Sequence, residues 1–272
     1  MKKFMYSSPY TQITSSITNE GEAYSYHHCH DRFEILYVIS GKGKMIVEGA
    51  EHPILPKSLI VIPPLQYHHA VLFDSEPYER FVVHFSRLSI GQDALPFMEQ
   101  FDNSENSFAN YYSERALPNA VIGAFERIEL SNALPEAERD IYVKLILGEI
   151  IVLLSVASKE LLPSDEAELG VRVIKYLNEH LTSDVSLDRL AKRFFVSKYY
   201  LCRAFKKHNG ISVHGYINQK RVMLAKQMIE SGESASGAAY KVGFGDYSAF
   251  YRAYMKIVGR PPTMARRGGE YQ

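Results

Sequence analysis

The chain has 272 residues, 46% of them hydrophobic and 23% charged, with a formal net charge of zero and no low-complexity tract. This is the composition of a soluble globular protein with room for two domains. The start, MKKFMYSSPYTQITSS, has two lysines but no apolar stretch behind them. The most apolar run, IYVKLILGEIIVLLSVA (141–157), is broken by Lys144 and Glu149, so neither a secretory signal nor a membrane span is expected.

Cys29 and Cys202 are isolated thiols, as in a cytoplasmic protein. The zero balance hides a split. Residues 165–272 hold 18 Lys and Arg against 10 Asp and Glu, an excess of eight positive charges, and residues 1–164 carry the matching negative excess. A basic C-terminal part on an acidic N-terminal part suggests that one region meets an anion, with double-stranded DNA as a candidate.

From about 20 to 88, short runs of β-branched and aromatic residues are broken by Gly and Pro. FEILYVIS, KMIVEG, SLIVIPP, HHAVLF and ERFVVHFS read as strands, with SGKG (40–43) as a hairpin turn. Close-spaced strands of this kind predict a small antiparallel barrel or sandwich. Within it, HHCHDRFEILYVISG (27–41) puts His28, His30, Arg32, Glu34, Leu36 and Val38 on one strand face, and His68 can approach from a neighbouring strand.

From about 117 to 162 the period becomes helical, with a proline near the start of each segment. The second segment is apolar around much of its circumference between 141 and 157 and must bury two faces. One can cover the barrel; the other is available for pairing two chains into a homodimer. The polar stretch PSDEAEL (163–169) reads as a linker between domains at 1–162 and 170–272.

Beyond it everything reads as helix. Ser186 caps a short helix with Leu187, Leu190 and Ala191 inward, and Ser197 caps a second with Leu201, Ala204 and Phe205 inward. This is a helix-turn-helix whose outer face carries Lys198, Tyr199, Cys202, Arg203 and Lys206. The arrangement repeats after a long amphipathic helix at 213–232. A short helix at 234–244 ends at Gly243, Gly245 and Asp246 turn a corner, and Asp246 caps a helix with Phe250, Ala253, Tyr254 and Ile257 inward. Tyr247, Ser248, Tyr251, Arg252 and Lys256 stay outside. Two units on one rod can enter successive major-groove segments about 34 Å apart. Arg203 and Arg252 suit bidentate reading of guanine, and Lys192, Arg193, Lys206, Lys207, Lys220 and Arg221 suit phosphate contact or plain solvation.

The stretches SLDRLAKRFFVSKYYLCRAFKKHNG, YINQKRVMLAKQMI and AAYKVGFGDYSAFYRAYMKIVGRPPTMAR resemble the DNA-binding domain of the AraC/XylS family of transcription regulators over about 170–267. The resemblance implies that the exposed positions of both second helices touch bases. The chain departs from the family pattern at Phe195, where a small residue is common, at Ala235 and Ala238, which replace larger apolar residues, and at Gly237 inside a helix. The N-terminal pattern resembles the cupin motif H-x-H-x3-E-x6-G through His28, His30, Glu34 and Gly41. The second cupin motif is partly kept, with Pro63 and His68 in place but Leu65 where glycine is expected.

The whole therefore predicts an α+β chain: a cupin-like antiparallel β-barrel with dimerisation helices, then an all-α domain with two helix-turn-helix units. AraC-type resemblance implies a ligand-responsive transcription regulator that needs no cofactor and is not an enzyme, with an activator of a carbohydrate-use operon as the family analogy. His28, His30, Arg32, Glu34 and His68 would hold a small polar effector such as a sugar, with Tyr24, Tyr26, Tyr37 or Tyr67 available to stack on it. His28, His30, Glu34 and His68 would equally suit a divalent metal, and polar groups that merely line a barrel are the third reading. A metal-dependent cupin isomerase or oxygenase with a DNA-binding appendage competes as a function, as does a constitutive architectural binder. The incomplete second motif counts against the enzyme.

Overall fold

The computed structural model describes residues 2–19, 27–73, 77–102, 109–159 and 169–263. Strands fill the first part: β1 (Lys2–Ser7), β2 (Thr11–Thr18), β3 (Phe33–Ser40), β4 (Gly43–Val47), β5 (Ala50–Ile54), β6 (Leu59–Ile62), β7 (His68–Leu72), β8 (Tyr78–Phe85) and β9 (Asn110–Tyr112). They form two antiparallel sheets, ordered β1-β2-β8-β3-β6-β9 and β5-β4-β7. Alternation sorts the faces. Leu36, Val38, Ile60 and Ile62 of the large sheet meet Met45, Val47, Ile54 and Ala70 of the small one. Ile35, Tyr37, Val61 and Val83 point the other way, beneath helices α1 (Asn119–Leu130) and α2 (Glu136–Val156).

The turn expected at 40–43 is not a hairpin. β3 pairs with β6 and β8 while β4 pairs with β5 and β7, so the chain crosses between sheets here, with Gly41 at φ 96°. The hairpin lies one strand later. Val47 pairs with Ala50, and the intervening Glu48 and Gly49 take φ of 49° and 83°, the two positive values that a type I′ turn requires. The left-handed region costs a residue with a Cβ about 1 kcal/mol, so Glu48 occupies an unfavourable backbone position.

Helix α2 buries Val143, Ile146, Leu147, Ile150, Ile151 and Leu154. It ends at Val156, earlier than the expected 162; Ala157 is already extended, and 160–162 lie outside the described residues. So does the expected linker except for Leu169, which opens α3 (Leu169–Glu179). Then follow α4 (Leu187–Arg193), α5 (Lys198–Asn209), α6 (Val213–Glu230), α7 (Ala235–Lys241) and α8 (Tyr247–Val258). Local chemistry sets each start: the side chains of Ser186, Ser197, Ser212, Ser234 and Asp246 accept the orphan N–H groups of α4 to α8 in turn.

The rod α6 serves two cores. Val213, Tyr216, Ile217 and Met223 pack with α3, α4 and α5, whereas Val222, Ala225 and Ile229 pack with α7 and α8. The first core continues into the barrel through Cys29 and Tyr67. The expected roles of Lys220 and Arg221 as outward cations are corrected here. Lys220 is buried and donates to Glu48 at 2.7 Å and to the carbonyl of Leu65 at 2.6 Å. Arg221 donates to the carbonyls of Leu181 at 2.8 Å, Ser183 at 2.7 Å and Gly243 at 2.6 Å, which clamps the end of the α3 region to the corner before α8. A helical pattern with polar residues on one face reads as solvated, but that face is covered by the barrel and by neighbouring loops.

Glu48 also accepts from the backbone N–H of Tyr67 at 2.7 Å, from the Tyr216 hydroxyl and from the Asn178 amide at 3.3 Å. The barrel and the helices are thus joined by one dry carboxylate. Gly49 and Gly210 let the surfaces close: a Cβ on the first would lie 2.7 Å from His208 Nε2, and on the second 2.1 Å from His27 Nε2. Removing one partner of such a buried pair strands a charge and costs about 3–5 kcal/mol, and replacing both costs far less. Lys220→Met is therefore expected to lose roughly that amount in urea unfolding, and Glu48→Gln/Lys220→Met to recover most of it.

Candidate functional site

Two surfaces carry chemistry. The first is the outer side of α5 and α8. Tyr199 is 77% exposed, and Arg203 and Lys206 are exposed beside it, with Cys202 half-buried. On α8, Ser248, Tyr251 and Arg252 are exposed, whereas Tyr247 is half-buried, with its ring packed on Phe250 and Tyr251. Tyr247 therefore supports the face more than it projects from it. Lys198 is paired with Asp188 of α4 at 2.6 Å, an exposed contact between the two helices of the first unit. Phe195 sits in the turn between α4 and α5 at φ 55° and is 96% exposed. The structure offers no packing reason for its ring.

Inside the second unit, Gly243 at φ 95° ends the turn after α7 and Phe244 folds back into the core, as expected from the glycine-framed corner. Asp246 accepts the N–H of Ala249 at 2.7 Å. Because α6 belongs to both cores and Arg221 clamps them, the exposed faces of α5 and α8 are held by one scaffold.

The second surface is the seam between barrel and helices. His28 forms a bridge with His68, and His30, Glu34 and His84 stand beside them. Three imidazole Nε2 atoms converge on Glu34 Oε2: His30 at 3.0 Å, His84 at 3.0 Å and His68 at 3.3 Å. Burial opposes the charge on Glu34, but the His68 charge and the three imidazole contacts outweigh it and hold the carboxyl well below the usual range. Burial lowers His30. His68 feels the same burial, but Glu34 overrides it and raises the ring.

His84 is absent from the sequence expectation. It lies opposite Glu34 in the β3–β8 register, so it becomes visible only once that pairing is known. Arg32, expected on the inward face, donates to the carbonyl of Pro9 at 3.0 Å and stands at the rim. Of the tyrosines expected to stack on a ligand, Tyr37 stacks on Phe125 under the helices and Tyr67 packs on Tyr216. Tyr24 and Tyr26 lie outside the described residues.

A cavity of about 630 Å³ opens at this cluster. Its barrel wall includes His28, His30, Arg32 and His84, and its helical wall Met223, Lys226, Ile257 and Arg260. Lys226 of α6 pairs with Asp31 of the barrel and with Glu230 at 3.0 Å. Burial works against that ammonium, but the two carboxylates override it and raise its pKa. So the cavity has polar groups from the barrel on one side and, on the other, residues of the two helices that fix the second helix-turn-helix unit.

Two family models match. One, described as an AraC-like ligand binding domain, covers residues 12–94, and one described as a helix-turn-helix domain covers 190–268. The chain belongs to the AraC family of transcription regulators. Curated HTH-type transcriptional regulators align with this chain over most of their length. The HTH-type transcriptional regulator YbfI of Bacillus subtilis is 24% identical over 232 residues, 82% of this chain and 80% of YbfI. The HTH-type transcriptional activator RhaS of Escherichia coli is 25% identical over 253 residues, 89% of this chain and 87% of RhaS. Among solved structures, ToxT of Vibrio cholerae aligns over 93% of this chain and 95% of its own at 13% identity, with a TM-score of 0.41. This AraC-type chain is thus a DNA-binding transcription regulator with a ligand-binding domain. No helix among the described residues is long and apolar enough to cross a membrane.

Proposed function

We propose that the chain is a cytoplasmic activator whose grip on its operator is set by a small polar effector bound in the seam cavity, and that it is not an enzyme. One observation carries this: the cavity is walled by the barrel and by α6 and the end of α8 together, so a ligand there touches the scaffold of the reading helices directly. An effector shifts regulation only through unequal affinity for two arrangements, and a site shared by both parts is where such a difference arises. His28, His30, Arg32, Glu34 and His68 supply donors and acceptors suited to a sugar or similar hydroxylated ligand, and the activator RhaS is a relative consistent with the sign of regulation. A carbohydrate-use operon is the target this analogy suggests.

Reading falls to Tyr199, Cys202, Arg203 and Lys206 on α5 and to Ser248, Tyr251 and Arg252 on α8, with Tyr247 buttressing the second face. Arg203 and Arg252 are exposed and unobstructed by the barrel side of α6, where bidentate contact with guanine O6 and N7 is available. In quantitative footprinting, Arg203→Ala and Arg252→Ala should each weaken specific binding by about 1–3 kcal/mol and relax preference at one position only. Equal loss on unrelated DNA would place them among phosphate contacts instead.

The active species is a homodimer formed through α2. Ile141, Leu145, Val152 and Val156 are exposed at spacings of four, seven and four, which puts them on one helical face opposite the barrel. Leu145→Glu should leave a folded chain that sediments as a monomer, since the side chain is 66% exposed and no part of the buried core. A dimer that survives this substitution would place the interface elsewhere.

A further inference from the structure

Three apolar residues, Phe194, Phe195 and Val196, make the turn between α4 and α5, and they point in different directions. Phe194 and Val196 pack against the core of the first unit, and the Phe194 ring meets Tyr176 edge-on with ring centres 6.0 Å apart. The backbone N–H of Val196 donates to the carbonyl of Ala191 at 3.0 Å, and that of Phe195 to the carbonyl of Lys192 at 3.3 Å. The turn is tied down on both sides of Phe195, yet its ring stands in water, 96% exposed. Its backbone lies in the left-handed region at φ 55°, where a residue with a Cβ is disfavoured and glycine is the relaxed choice. The fold therefore draws no benefit from this side chain. The ring buries no surface, and its Cβ makes the turn harder to form. An outlier kept at such a place points to function.

The position says what the ring meets. Ser197, two residues on, caps α5, so Phe195 stands just ahead of the helix end that enters a major groove. Tyr199, in the first turn of α5, is exposed as well. The surroundings are positive. Between 186 and 209 the chain has seven Lys and Arg and a single acid, Asp188, which is paired with Lys198 at 2.6 Å. Asp188 and Lys192 line the same shallow depression as Phe195 and Val196. An aromatic ring set among cations fits a polyanion with apolar spots. In the major groove that spot is the C5-methyl group of thymine.

We propose that Phe195 packs on the methyl group of a thymine at the edge of the base pairs that α5 reads. The first unit then distinguishes one position more than α5 does alone. Phenylalanine has no donor or acceptor, so this position separates thymine from cytosine through the methyl group. The inference rests on α5 being a reading helix.

The full chain first selects a preferred duplex from random sequence. Each thymine in it is then replaced singly by deoxyuridine, which lacks the methyl group, and affinity is measured for the parent and for Phe195→Gly. For the parent, one replacement at the edge of the segment covered by the first unit should weaken binding about fourfold, the share of one buried methyl group. Phe195→Gly should bind the unmodified duplex more weakly by at least that factor, and lose nothing more when that thymine becomes deoxyuridine. Glycine relaxes the turn, so the variant should melt no lower than the parent. A merely loosened turn would weaken both duplexes alike and leave the deoxyuridine effect intact, which overturns the proposal. A parent indifferent to every replacement overturns it too. So does full DNA affinity in Phe195→Gly with activation lost in a reporter strain, which would make the ring a contact for another protein. If Arg203→Ala also leaves specific binding intact, the reading role of α5 falls. If Arg203→Ala weakens specific binding while no thymine methyl group matters, only the Phe195 assignment falls.

Discussion

A carboxylate with no exposed side-chain surface, Glu48, holds the two halves of this protein in one arrangement. It stands on a strained two-residue turn, and it draws a backbone N–H from the barrel, an ammonium and a hydroxyl from α6, and an amide from α3. Removing a carboxylate from water is costly, and only a full set of donors compensates. The domains therefore meet well in the one orientation that supplies all of them. Gly49 and Gly210 allow the approach, and the apolar core of the first helix-turn-helix unit runs on into Tyr67 and Cys29 of the barrel.

From this constraint the regulatory geometry follows. The element that answers Glu48, α6, is also the rod shared by both reading units, and its next turns carry Met223 and Lys226 into the cavity wall. A ligand on the histidine side thus presses on the same rod that spaces α5 from α8. Because the cores on either side are closely packed, the expected response is a shift between discrete arrangements. The Lys226–Asp31 pair bridges the same seam and is the contact a ligand entering from the open side would meet.

The C-terminal helices are largely legible in the sequence because their signals are local. Ser186, Ser197 and Asp246 announce their caps, and Gly243 its left-handed turn, within a few residues. The strands at 33–40 and 78–85 are legible by alternation, but what they pair with is not. That is why 40–43 reads as a hairpin when it is a crossover, and why His84 escapes notice although it faces Glu34 across one ladder. β2, rich in Ser and Thr, and β1, which opens on two lysines, give too weak an apolar alternation to be read as strands. Lys220 shows the sharper limit. On a helical wheel a lysine marks a solvated face, and nothing near it in sequence reveals a buried glutamate 172 residues away.

The central claim is that effector occupancy reaches the DNA only through the locked seam. Its most direct test is operator affinity, measured with and without any small molecule that raises the melting temperature, in the parent chain and in Glu48→Gln/Lys220→Met. The account predicts that such a ligand changes operator affinity in the parent, and that in the double variant it still binds but leaves the affinity where it was. A double variant that responds as fully as the parent would contradict it.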